Sequence, residues 1–207
     1  MDDGRLLYAV GNGESTQAYD HSDSVLSLSP RLDLVDSFSP AQWASDNEAD
    51  LDLGSMGPAL VGDHVLAVGK SGVGYVLDAA RLGGVGGQLT AQPICAAYGG
   101  SAVDGSTVYL PCSDGTRAVS IDAGGAITPR WTATVPANGP PVLGGGAVWV
   151  TDYHRGVLYA LDPDRVPRAR CRRTPALRIP VPGRRPRLPR HHEWSQRDHR
   201  YLTIVHP

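Results

Sequence analysis

Hydrophobic positions in the first 164 residues fall in short runs of alternating spacing, separated by turns rich in Gly, Asp and Ser. Runs of period two place one face of a β-strand inward. Gly and Asp supply the left-handed backbone angles of tight hairpin turns. No window of helical length shows an apolar stripe closed by caps, although residues 46–53 have room for one helical turn. The pattern therefore predicts an all-β fold of short strands joined by tight turns.

Three segments of this part repeat one arrangement, in which strands and turns alternate and the unit closes on an aspartate. They cover residues 57–78, 99–122 and 140–162, and a less complete copy covers residues 4–30. A period of about 40 to 50 residues with three or four strands per repeat is typical of a propeller blade. The alternative, an ordinary β-sandwich, would need three aligned units to arise by coincidence. The unit-closing residues are Ser29, Asp78, Asp122 and Asp162, with spacings of 49, 44 and 40 residues.

The repeat G-P-x-x-x-G-x-x-V-x-V, followed by G-x-x-Y-x-L-D, resembles the repeat of PQQ-like β-propellers. That family includes quinoprotein alcohol dehydrogenases and the propeller lipoprotein of the outer-membrane assembly machinery. The resemblance covers about residues 4–164 and implies a partial β-propeller of about four PQQ-like repeats, a fragment of a propeller of seven or eight blades. It also implies that Asp78, Asp122 and Asp162 are structural residues of the blade motif. Trp131, nine residues after Asp122, is expected to dock between blades.

The resemblance implies two functions of different classes. We expect a non-catalytic scaffold or binding module, with an unidentified protein or small-molecule ligand on a propeller face. The alternative is a piece of a PQQ-dependent alcohol or sugar dehydrogenase, which needs a quinone, a calcium ion, a catalytic Asp and, in many members, a disulfide between adjacent cysteines. Cys95, Cys112 and Cys171 are not adjacent, and no residue matches a quinone ligand. We therefore expect no catalytic residue, metal ligand or cofactor, and leave PQQ with calcium as the alternative.

Cys95 and Cys112 flank the hairpin centred on Asp104-Gly105. Folding this hairpin brings them to nearly opposite positions on neighbouring strands, within disulfide reach; two separate buried thiols are the alternative. A bridge favours an exported protein, and the resemblance likewise implies a bacterial parent located outside the cell or in the cell envelope. The first residues lack the pattern of a signal peptide, and no stretch has the length of a membrane span.

Three other motifs favour structural interpretations. Gly69-Lys70-Ser71 resembles the end of a phosphate-binding loop, but His64 stands where that motif needs Gly, and a strand follows instead of a helix. Residues 46–52 offer acidic oxygens suited to calcium, yet Val61 stands where an EF-hand needs its last carboxylate. We interpret these motifs as a turn and a solvated loop between units, and residues 82–87 as a flexible, glycine-rich connection.

Charge divides the chain into residues 1–164 and residues 165–207. The first part holds seven Lys and Arg against 19 Asp and Glu, whereas the second holds 12 Arg against two acids. Seven prolines in the second part oppose helix and strand alike, so we expect a disordered tail. Its composition, rich in Arg and Pro, favours a reading-frame shift near residue 165. The alternatives are a genuine basic tail, which would bind nucleic acid through phosphate neutralisation, and an unrecognised structured segment.

Overall fold

The structure is a computed structural model that describes residues 3–164. The segment 165–207 lies outside the described residues, so its disorder, its reading frame and its nucleic-acid binding stay predictions. The described chain consists mainly of β-strands arranged in four small sheets, which confirms the predicted all-β class.

Each sheet is built around the strands of one predicted repeat. Sheet 1 contains, side by side, β1 (Leu6–Val10), β2 (Ser24–Leu28), β3 (Leu34–Ser39) and β7 (Gly84–Val85). Sheet 2 contains β4 (Ala59–Val61), β5 (His64–Val68), β6 (Val73–Asp78) and β8 (Thr90–Pro93). Sheet 3 contains β9 (Ala102–Asp104), β10 (Thr107–Cys112), β11 (Gly115–Ile121) and β12 (Ile127–Thr132). Sheet 4 contains β13 (Val142–Gly144), β14 (Ala147–Asp152) and β15 (Val157–Leu161).

The shortest turns occur at the same position in each of the three full repeats. Neighbouring strands of sheets 2, 3 and 4 run antiparallel, and the first hairpin of each has a two-residue connection. Gly62, Gly105 and Gly145 start these connections with φ of 57°, 55° and 58°, in the left-handed region. Glycine enters that region without the steric cost that a Cβ imposes. The predicted turns therefore adopt the left-handed backbone angles that glycine favours.

Successive sheets stack face to face, and each adjacent pair encloses its own hydrophobic core. We call the face turned to the preceding sheet the back face and the face turned to the following sheet the front face. Sheet 2, for example, turns Val65 and Tyr75 back toward sheet 1 and Leu66 and Val76 forward toward sheet 3. Because cores lie on both faces, the central strands of sheet 2 are apolar almost throughout.

The connection after β6 departs from its interpretation as a flexible segment. Here β7 pairs in parallel with β3 and completes sheet 1, although it belongs to the second repeat. Leu82 is fully buried, and its backbone N–H donates to the Asp36 carboxylate over 2.7 Å. A Cβ on Gly83 would lie only 2.5 Å from the Gly87 carbonyl oxygen, so these glycines permit a close backbone approach. The segment therefore ties sheet 2 to sheet 1.

Between β3 and β4 the chain forms the helix α1 (Trp43–Ala49) and a 3₁₀ helix (Leu53–Ser55). Trp43 is the buried anchor of α1, which ends at Asp50 in the left-handed conformation with φ of 54°. The sequence indicated only one helical turn here, because two turns are too short to show a periodic apolar stripe. Neither helix within residues 3–164 has the length and apolar character needed to cross a bilayer.

Candidate functional site

The strands end at two opposite ends of the stack, which differ in their connections. Antiparallel neighbours alternate in direction, so the turns after β2, β4, β9, β11 and β13 lie at one end, together with the connection after β6. We call this the turn end. The remaining connections, including α1 and the 3₁₀ helix, lie at the other end, which we call the loop end.

The unit-closing residues form tight turns at the turn end. The Asp122 carboxylate accepts hydrogen bonds from the backbone N–H groups of Gly124 and Ala126, both at 2.9 Å. The Ser29 hydroxyl accepts the equivalent pair from Arg31 and Asp33, both at 3.1 Å. Local hydrogen bonds of this kind are the reason that Asp and Ser favour turns.

Two further unit-closing residues make the shorter form of this turn. The Asp78 carboxylate accepts from the Ala80 N–H at 2.8 Å, and that of Asp162 accepts from the Asp164 N–H at 2.9 Å. All three unit-closing aspartates are exposed, and each caps the third strand of its repeat. Turn formation at the strand end therefore accounts for the repeated aspartate.

Trp131 lies on β12 in the core between sheets 3 and 4. Its indole Nε1–H donates to the Pro163 carbonyl over 2.8 Å, and its ring centroid lies 5.8 Å from that of Tyr109. Phe38 is the counterpart in sheet 1: it stands nine residues after Ser29, is fully buried, and lies 5.5 Å from the Tyr75 ring. Phe38 was not among the residues predicted from the sequence, although it stands nine residues after the unit-closing Ser29.

Cys95 and Cys112 are joined by a disulfide, with Cα atoms 5.7 Å apart. Cys112 ends β10, whereas Cys95 lies in the connection between sheets 2 and 3. Ala97 in that connection forms an isolated bridge with Cys112, which continues the pairing beyond β9. The disulfide therefore fastens the connection between sheets 2 and 3 to the loop end of sheet 3.

The loop end of sheets 1 and 2 carries the densest charge. We call residues 11–23, 42–55 and 69–72 together the acidic end surface. They hold seven carboxylates against one lysine, Lys70. The carboxylates belong to Glu14, Asp20, Asp23, Asp46, Glu48, Asp50 and Asp52.

A buried amide fixes the long β1–β2 connection onto α1. Asn47 Oδ1 accepts the Gly13 backbone N–H at 3.2 Å. Its Nδ2 group donates to the Ser15 carbonyl at 3.0 Å and to the Ser22 hydroxyl at 2.7 Å. Because both the oxygen and the NH₂ group of the Asn47 amide have hydrogen-bond partners, the network holds the β1–β2 connection and α1 in one arrangement. The acidic end surface therefore has an ordered framework beneath its exposed carboxylates.

Asp23 lies fully buried in this framework. One carboxylate oxygen accepts the Leu53 backbone N–H, while Oδ2 has no hydrogen-bond partner. Burial raises the pKa of Asp23 to about 6; the Leu53 hydrogen bond opposes this rise, and the nearby charges of Asp46 and Asp52 add to it. The buried carboxyl therefore keeps its proton to a higher pH than an exposed aspartate does.

Lys70 neutralises two carboxylates at the rim. Its Nζ lies 2.6 Å from Asp50 Oδ1 and 2.6 Å from Asp52 Oδ2. The hydrogen bond from Lys70 holds the pKa of Asp50 below its usual value, and the two aspartates raise the pKa of Lys70. Lys70 belongs to the short connection between β5 and β6, in agreement with the interpretation of Gly69-Lys70-Ser71 as a turn.

The same ion pairs bear on the possibility that the acidic stretch at residues 46–52 binds calcium. The Lys70 ammonium group fills the space between Asp50 and Asp52 that a calcium ion would need. Within residues 3–164, no group of three or more His, Cys, Asp or Glu side chains is placed to hold a metal ion. The acidic stretch at residues 46–52 therefore does not fit this ion, and quinone binding stays a prediction.

Aromatic side chains adjoin the carboxylates. The Tyr19 ring lies 4.8 Å from the His21 ring and 5.4 Å from the Trp43 ring. Tyr19 is partly exposed, His21 is exposed, and Trp43 is buried beneath them. The acidic end surface therefore combines charge with an accessible aromatic group.

Comparison with known proteins identifies the architecture. No protein-family model and no curated protein matches the sequence. Among solved structures, BamB from Moraxella catarrhalis is similar with a TM-score of 0.52 and 17% sequence identity, over 82% of this chain and 48% of that chain. The fold is that of a β-propeller. Its four sheets are consecutive blades, and the chain spans about half the length of the BamB structure.

A second propeller structure is also similar. The β-propeller domain of Cps50 (Swd1) from Myceliophteria thermophila has a TM-score of 0.41 and 11% identity, over 79% of this chain and 67% of that chain. At 17% identity, the similarity to BamB extends to the fold and not to the function.

Proposed function

We propose that this β-propeller is a non-catalytic scaffold that binds a protein partner through its acidic end surface. The observation that carries the proposal is the concentration of seven carboxylates on three segments at one end of sheets 1 and 2. Loops held on a rigid framework are the usual place for binding residues. The end surface is built in this way, because Asn47 and Asp23 fix its segments from below.

The charge of this surface indicates the partner. Glu14, Asp20, Glu48 and Asp50 are exposed, and Lys70 is the single lysine or arginine of the surface. A surface of one sign attracts a partner of the opposite sign and speeds its association. The proposed partner therefore presents a segment rich in Lys and Arg. Tyr19 supplies an aromatic face on which an arginine side chain stacks.

The proposal also places the chain among PQQ-like propellers of exported bacterial proteins. The repeated G-x-x-Y-x-L-D pattern supports the PQQ-like assignment. The Cys95–Cys112 disulfide supports an oxidising compartment, because cytosolic proteins seldom keep such bonds. A location in the cell envelope or outside the cell suits both observations.

Fluorescence anisotropy with a labelled Lys/Arg-rich peptide tests the proposal, using the full chain. We expect binding that weakens with added salt, because exposed charges are screened. The double variant Glu14→Gln/Glu48→Gln should weaken binding severalfold. The matched control, Asp63→Asn/Asp104→Asn, removes two exposed carboxylates at the turn end and should bind like the unmodified chain.

The control also separates local from overall charge. Residues 165–207 are present in every variant, so their basic side chains do not affect the comparison. Equal weakening by both double variants would show that only net charge matters and would contradict the proposed surface. An unmodified chain that binds the basic peptide no better than an acidic peptide of equal length would contradict the proposal outright.

A further inference from the structure

The back faces of the blades follow one pattern. In sheets 2, 3 and 4, two residues of the second strand of the repeat and two of the third point toward the preceding sheet, and all are apolar. They are Val65, Ala67, Tyr75 and Leu77 in sheet 2, Val108, Leu110, Val119 and Ile121 in sheet 3, and Val148, Val150, Tyr159 and Leu161 in sheet 4. Each set is covered by the front face of the sheet before it.

Sheet 1 carries the same pattern without a cover among the described residues. The register opposes Leu6 to Leu28 and Tyr8 to Leu26, so these four side chains share the back face, and Leu34 joins them opposite Leu28. Leu6 is 51% exposed and Tyr8 62% exposed, whereas Val65 and Ala67 at the matching positions of sheet 2 are only 0% and 2% exposed. The back face of sheet 1 therefore has the composition of an inter-blade core and the exposure of a surface.

The front face of sheet 4 is open in the same way among residues 3–164. Val142, Trp149 and Ala160 lie opposite one another across its three strands, and Leu158 lies on the same face. Val142 is 62% exposed. Trp149 Nε1–H donates to the Gly144 carbonyl over 2.9 Å, which orients the indole on this face. Residues 3–164 thus present one open back face and one open front face.

We propose that a second copy of the chain covers both faces, with the front face of sheet 4 of each copy packed on the back face of sheet 1 of the other. Every interface inside the chain joins a front face to a back face, so this contact continues the existing stacking. Two such contacts related by a two-fold axis close the pair into a ring of eight sheets and leave no open flank.

The comparison with BamB favours a pair over a larger assembly. A match over 82% of this chain covers only 48% of the BamB chain, so two copies together span about the length of that propeller chain. An exposed apolar face of this extent is also typical of an interaction site. Residues 3–164 of a single copy cover neither face, whereas the same residues of two copies cover both.

Light scattering coupled to size exclusion measures the assembly directly. We expect the full chain to have twice the mass of the 21.9 kDa monomer. Tyr8→Asp and Val142→Arg each place a charge on one of the two faces, at positions that are equally exposed in the single chain and hence tolerant of the change. Either variant should raise the dissociation constant about 100-fold or more, because the pair would bury an unpartnered charge twice.

Mixing distinguishes the proposed arrangement from other pairs. In a 1:1 mixture of the two variants, one contact is unmodified and the other brings the introduced opposite charges toward each other, so the mixture should recover the doubled mass. The strands involved are counterparts of β4 and β10, which contact each other inside the chain. Leu89→Arg, at an exposed position in the connection after β6, is the control and should leave the mass doubled.

Four results would overturn the proposal. The first two are an unmodified chain that is monomeric at tens of micromolar and a series of growing oligomers. The other two are that only one of the variants Tyr8→Asp and Val142→Arg loses pairing, and that the mixture fails to recover the doubled mass. Pairing broken from one face alone would show that like faces meet. Circular dichroism and cooperative melting of each variant establish that the blades remain folded, so a lost pair reports the interface itself.

Discussion

The turn end and the loop end are built from the same strands, yet they follow different rules. At the turn end, unit-closing residues such as Ser29 and Asp122 repeat one local hydrogen-bonding scheme. At the loop end, the connection between β1 and β2 spans residues 11–23, whereas that between β10 and β11 spans only residues 113–114. The repeat therefore specifies the fold at one end, while residues outside the repeat shape the proposed binding surface at the other.

Removal of the disulfide should disturb the loop end most. We expect Cys95→Ser/Cys112→Ser to lower the free energy of unfolding by about 3 kcal/mol, because the bridge closes a loop between residues 17 apart. Denaturant unfolding of the oxidised chain, the reduced chain and the double variant measures this loss. Cys171→Ser serves as a control against thiol exchange. Equal stability of oxidised and reduced chains would contradict the prediction.

Asp23 should make the chain more stable in mild acid than at neutral pH, which is opposite to the usual effect of an aspartate. Because the folded pKa of about 6 lies above the ordinary value of 3.8, the folded state holds the proton more tightly. Stability should therefore fall as pH rises from about 4 to 6, by no more than about 3 kcal/mol. Asp23→Asn removes this fall, so its stability relative to the unmodified chain should increase over that range.

Urea unfolding at several pH values between 4 and 7 tests the Asp23 prediction. Asp20 in the same connection provides a control of opposite sign, since hydrogen bonds from Ser22 lower its pKa. Asp20→Asn should lose stability relative to the unmodified chain as pH rises toward about 4, so this control is measured in a series that extends below pH 4. If the curves of Asp23→Asn and the unmodified chain run parallel, the buried carboxyl does not titrate as described.

The turn end should respond least to single changes. Asp122→Ala removes two hydrogen bonds to backbone N–H groups and should cost about 1 kcal/mol. Asp78→Ala removes one such bond and should cost less. Thermal unfolding compares them, with Asp122→Asn as the variant that keeps the acceptor oxygen. A larger loss for Asp78→Ala would indicate that these residues do not act through their turns.

The sequence predicted features that depend on neighbours in the chain. Alternating runs and Gly turns predicted the strands and the four repeats, and the resemblance to PQQ-like propellers implied the position of Trp131. The β3–β7 pairing joins segments that lie far apart in sequence, so no local pattern indicates it. The burial and hydrogen bonding of Asp23 likewise involve Leu53, 30 residues away, whereas the sequence alone indicates only a polar turn residue. The acidic end surface was not predicted from the sequence, because its segments are brought together by contacts between residues far apart in the chain.

The parallel strand β7 also affects how the chain is assembled. During synthesis the N-terminal part emerges first, but sheet 1 obtains its fourth strand only after β6 has emerged. One edge of β3 therefore stays unpaired until the second repeat has been synthesised. Native-state hydrogen exchange should show sheets 1 and 2 opening as one cooperative unit. A deletion or duplication of a single blade at this boundary would remove a strand from its neighbour, so the pair of blades is the smallest module that can be moved intact.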